Sequence, residues 1–178
     1  MSARRLLGRL AGAALLCAGA TVDCAATPDP GQVTVVVTPD FAAFAGDANN
    51  AGVHTFLEKR CGTLDCHGQT GRPFRLFSSG GLRLLNDAGL TSGAGTDTAQ
   101  EIYANYQALV GLQPEETSRV VNNEDPPSSL LVVAKPLGLQ THKGGQALAP
   151  NDSGDLCLEG WLMNKVDMAA CNDAAQEP

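Results

Sequence analysis

Aromatic side chains are scarce in this chain. One Trp, two Tyr and five Phe make up 4% of its 178 residues. A core with so few rings must be built mainly from Leu, Val and Ala, and a bound cofactor could supply some of the missing bulk. Basic residues are also few: 12 Lys and Arg against 19 Asp and Glu give a formal net charge of −7. No basic patch lies away from the N-terminus, which argues against nucleic-acid binding, since phosphates need clustered cations. No internal repeat and no second domain stand out, and the length suits one domain of ordinary size. A Ser-His-Asp set, a phosphate loop and a paired-carboxylate arrangement are all missing, so no enzyme activity is expected.

The first twenty residues have the form of a secretory signal. Arg4, Arg5 and Arg9 make a basic start, an apolar run from Leu10 to Ala20 follows, and Ala18-Gly19-Ala20 offers a small-x-small cleavage site. The run is short of the roughly 20 residues of a membrane span. A signal over 1–20, or extending to 26, predicts export to the periplasm or outer envelope. Removing 1–20 takes three arginines from a net charge of −7 and leaves −10. Cys17 and Cys24 raise the alternative of lipid anchoring. Leu16 and Asp23 stand where a lipoprotein signal wants a small residue.

Residues 21–48, rich in Thr, Pro, Gly, Asp and Ala, read as a linker holding one short strand over 33–38, with the folded domain over 49–171 and a flexible tail over 172–178. Helical spacing of Val53, Phe56, Leu57 and Arg60 predicts a helix over 48–61, capped by Asn49 or Asn50. A second helix is expected over 98–112, opened by a Thr98/Glu101 capping box and stopped by Pro114. A third is expected over 155–166 with Asp155 as its cap. The class is mostly α, with long irregular loops.

The densest chemical text is Cys61-Gly-Thr-Leu-Asp-Cys66-His67. Cys-x-x-Cys-His attaches haem c through two thioethers, with the histidine supplying an axial nitrogen. Here four residues separate the cysteines instead of two. A bulged loop, eased by Gly62, would still keep both sulfurs near the ring edge. A Cys61–Cys66 disulfide fits the spacing equally well in an oxidising compartment. A zinc site of Cys61, Cys66, His67 and His142 is a third option, with cysteine spacing unusual for zinc.

"GVHTFLEKRCGTLDCHG" (52–68) resembles the start of class I cytochrome c domains, with Gly52, Phe56, Cys66, His67 and Gly68 in matching order. It is also similar to the variant Cys-x4-Cys-His motif of cytochrome c-like domains in exported bacterial proteins, planctomycete and myxobacterial types among them. "SLLVVAKPLGLQTHKGG" (129–145) and the closing "LEGWL" match later patterns of that group. The resemblance covers residues 49–166. It implies a small class I-like helical fold, haem c held by Cys61 and Cys66, His67 as proximal iron ligand, and electron exchange with a redox partner protein.

Class I cytochromes commonly place a distal Met before the last helix, and this chain has none there. His142, in "THKGG", is the first candidate for that position, and Met168 the alternative. Arg75 is the candidate partner for a haem propionate, with Arg72 and Arg83 in the same loop. Cys157 and Cys171 are expected to form a disulfide tying down the C-terminus. Trp161 reads as core, partnered by Phe56, and His54 as an exposed helix residue. The expected function is that of an exported monohaem electron carrier. The rival is a haemless exported binding or structural module with disulfides Cys61–Cys66 and Cys157–Cys171.

Overall fold

Apolar residues at helical spacing dominate the chain's architecture. The computed structural model describes residues 35–84 and 95–177, which belong to one compact unit. The expected signal, Cys17 and Cys24 lie outside the described residues. In chain order the helices are α1 (Phe41–Ala45), α2 (Val53–Arg60), α3 (Ala99–Val110), α4 (Pro114–Val121), α5 (Leu131–Ala134), α6 (Ser153–Leu162) and α7 (Met168–Gln176), with a 3-10 turn at Pro127–Ser129. Two isolated bridges, Gly46 with Ala51 and Phe77 with Leu82, are the β pairing among the described residues, so no sheet forms there. The class is mostly α, as composition and periodicity predict.

α2 is central and packs against α1, α3, α6 and α7. Val53, Phe56 and Leu57 bury their side chains in the common core with Leu109, Leu158 and Trp161. Gly52 begins α2, and neither Asn49 nor Asn50 caps it. Both asparagine backbones instead donate to the Asp47 carboxylate, at 2.7 and 2.9 Å. A Cβ on Gly52 would stand 2.3 Å from the Phe44 carbonyl oxygen, so only glycine lets α1 close onto α2.

The folded part extends further at both ends than the composition suggests. No strand forms over residues 35–38. That segment is extended, and side-chain-to-backbone bonds fasten it. Val37 N donates to Ser118 Oγ at 3.0 Å, Tyr106 Oη to the Pro39 carbonyl at 2.9 Å, and Trp161 Nε1 to the Asp40 carbonyl at 2.7 Å. Asp40 then caps α1, and Phe44 is fully buried. Trp161 is core, but its ring neighbours are Phe44 at 5.2 Å and Tyr106 at 6.2 Å rather than Phe56.

Residues 172–176, expected to be tail, continue α7. Arg60 pairs with Glu177, Lys59 donates to the Ala175 carbonyl, and Ala51 N donates to Asn172 Oδ1 at 2.7 Å. The predicted Cys157–Cys171 disulfide is formed, with both residues fully buried between α6 and α7.

α3 carries the predicted capping box in full. Pro114 ends nothing: it occupies the first turn of α4, where its missing N–H costs no hydrogen bond. α6 starts two residues before Asp155, because the Asp152 carboxylate accepts from Asp155 N at 2.8 Å.

Candidate functional site

The Cys61–His67 loop leaves the end of α2 and folds back on itself. His67 N donates to the Cys61 carbonyl at 2.8 Å, Gly68 N to Thr63 O at 2.9 Å, and Cys66 N to the same oxygen at 3.0 Å. The following strand-like segment locks the loop from outside: Leu76 N donates to His67 O at 2.9 Å and Leu82 N to Gly68 O at 2.7 Å. The glycines serve close approach. Added Cβ atoms would lie 1.9 Å (Gly68) and 2.0 Å (Gly81) from the Gly62 carbonyl oxygen, and at Gly62 itself 2.6 Å from Glu58 O. Gly62 is therefore required for space, not for an unusual backbone angle.

Beside this loop lies a cavity of about 220 Å³, lined mostly by apolar groups: Leu57, Phe74, Leu112, Leu131, Pro136, Leu148 and Leu158. Pro73 and Val132 add to these, and Cys61, His67, Lys135 and His142 complete the wall. The structure thus brings together three of the residues singled out from sequence, although His67 and His142 are far apart in the chain. Their rings are nearly parallel, 12° between planes, with centroids 5.9 Å apart. Cys66 belongs to the same loop but not to the cavity wall.

Each imidazole is held by its own turn. His67 Nδ1 donates to the Phe74 carbonyl at 2.8 Å, and His142 Nδ1 to the Gly145 carbonyl at 2.9 Å. A carbonyl can only accept, so each ring carries a proton on Nδ1, and the neutral form of such a ring has its lone pair on Nε2. The Gly145 turn, at φ 72°, suits glycine. Burial holds the His67 pKa below the ordinary histidine value. The charges of His142, Arg72 and Lys135 add to that, against the raising effect of the Phe74 carbonyl. His67 is accordingly neutral at physiological pH. Burial, with Cys66 adding to it, pushes the Cys61 thiol up to about 11.

Several expectations change here. Cys61 and Cys66 are free thiols, so the disulfide of the haemless reading is not formed. Among the described residues, no three of Cys61, Cys66, His67 and His142 bring ligand atoms within 4.8 Å of one another. Met168 opens α7 and does not reach the cavity wall. Arg75 lies with its guanidinium 5.1 Å over the Phe77 ring, and Arg83 is bonded to Glu101. The cation in the cavity wall is Lys135, which sequence reading passed over inside an apolar stretch. No family model matches the chain, and no curated protein or solved structure matches it.

His54 is buried, 4% exposed, not an exposed helix residue. It faces Phe44, Asn105 and Asp97. Asn105 Oδ1 accepts from Phe77 N and its Nδ2 donates to Phe77 O, both at 2.7 Å, which pins the segment after the motif to α3.

Proposed function

We propose that this protein is an exported monohaem c-type cytochrome-like electron carrier, with His67 as proximal and His142 as distal iron ligand. The observation that carries the reading is the imidazole pair across one apolar cavity, both rings in the tautomer that leaves Nε2 for a metal. Scarce aromatics, the N-terminal basic-then-apolar run and the resemblance of residues 49–166 to cytochrome c domains support it further.

Haem would supply one-electron redox chemistry. The chain's own residues set its surroundings. The Phe74 and Gly145 carbonyls orient the two imidazoles and raise their basicity. Leucines from α2, α5 and α6 exclude water, and Lys135 offers a charge to an acidic group at the ring edge. Two imidazole ligands favour a lower potential than an imidazole–thioether pair. The free thiols of Cys61 and Cys66 are available for covalent attachment.

Expression in a host with cytochrome c maturation machinery tests the reading. The expected product is red, with a Soret band retained after denaturation. His142→Ala should turn a six-coordinate low-spin spectrum into a high-spin one. A colourless protein with Cys61 and Cys66 joined as a disulfide by peptide mapping would overturn it. Unchanged spectra in His142→Ala would remove the distal assignment alone.

A further inference from the structure

Outside the cavity wall, three ligand-type side chains meet beside α2. His54 and Glu58 are one helical turn apart, so both project from the same face. Asp97, just before the Thr98 cap of α3, comes to meet them. One ligand atom from each lies within 4.8 Å of the others. His54 Nε2 and Asp97 Oδ2 are 2.9 Å apart, with both side chains 6% exposed.

The two form a buried ion pair, and Glu58 also faces the Asp97 carboxylate, yet strict hydrogen-bond geometry is not reached. His54 Nε2 and both Asp97 oxygens are buried without a hydrogen-bond partner. The three side chains thus bring their ligand atoms together with an incomplete set of hydrogen bonds. A buried carboxylate beside a second carboxyl is unfavourable unless a cation offsets their charge. At the other ring nitrogen, Nδ1, the polar neighbour among the described residues is Asn105 Nδ2 at 3.4 Å. That is beyond the usual range for such bonds and does not lock the proton on Nε2. Arg83, the nearby cation, already makes a two-bond pair with Glu101.

We infer that His54, Glu58 and Asp97 form a binding site for a divalent transition-metal ion, separate from the cavity of His67 and His142. One imidazole nitrogen and two carboxylate oxygens suit zinc, manganese or ferrous iron better than calcium, which takes oxygen ligands alone. Ligand bonds of about 2.0–2.2 Å fit inside the observed spacing with small side-chain shifts. Glu58 is half-buried. The ion would join the helix that begins the Cys61–His67 loop to the cap of α3.

Equilibrium dialysis of the full chain, as purified, against zinc, followed by metal analysis, tests this. The expected result is about one ion retained per chain, with a rise in melting temperature. Asp97→Asn, and the milder Glu58→Gln on the half-buried side chain, should each lower zinc affinity at least ~10-fold, while His142→Ala should leave it unchanged. No retained zinc in the wild type would overturn the site, as would equal retention in Glu58→Gln and Asp97→Asn. So would loss in His142→Ala alone. None of these outcomes depends on whether His142 binds iron.

Discussion

At the residue scale, charge is placed where burial makes it count. Glu101 is fully buried, yet it accepts from Arg83 Nε and Nη2 at 2.8 Å each, from Leu84 N at 2.9 Å and from Thr98 N at 2.9 Å. Burial alone would raise its pKa, but these donors overcome that and hold it at about 2. In the unfolded chain a glutamate titrates near 4.5, so above that value both states are ionised and the stabilisation is fully present. As pH falls from about 4.5 to about 2, the unfolded state takes up a proton that the folded state refuses. Roughly 3 kcal/mol of stability should be lost across that window. Denaturant unfolding at pH 6 and pH 3 measures it, and Glu101→Gln should flatten the difference while lowering stability at pH 6. The residue types at the candidate haem site were legible in the sequence because Cys61, Cys66 and His67 are contiguous text and "THKGG" stands out in its loop. Lys135 and the His54–Glu58–Asp97 group were not. The available sign was the one-turn spacing of His54 and Glu58, but Asp97 joins them only through the packing of α3 on α2.

At the scale of elements, signals confined to a few residues could be read directly. The α3 capping box is one, since Thr98 and Glu101 satisfy each other's backbone within a single turn. α4 was missed because Pro114 can end one helix or begin another, and only the tertiary course of the chain decides. α7 was missed because "MAACNDAAQ" has no stripe of large apolar residues. Ala170, Ala174 and Ala175 are buried by close packing rather than by bulk. Its attachment rests heavily on the Cys157–Cys171 bridge to α6. Cys171→Ser should lower stability by about 3 kcal/mol in the loop-entropy account. It should also expose α7 amides to fast hydrogen exchange while the α3 amides stay protected.

For the whole molecule, the lesson lies at the ends. Residues 35–45 have a linker's composition, and no local rule marks them as folded. Their order comes from partners far along the chain: Ser118, Tyr106 and Trp161. Phe44 then enters an aromatic cluster with Tyr106 and Trp161. Phe44→Ala should cost about 3–5 kcal/mol, visible as a lower denaturant midpoint, whereas a true linker position would cost almost nothing. The loop that carries Cys61 and His67 has a different kind of dependence. Gly68, Gly81 and Ser78 all crowd against the carbonyl of Gly62, the two glycines because no Cβ fits and the serine because it donates to that oxygen. In evolutionary terms this one oxygen writes a search pattern. Any relative that keeps the fold should carry glycine at the places of 62, 68 and 81 and a small hydroxyl at 78, while Leu64 and Asp65 at the exposed tip are free to drift.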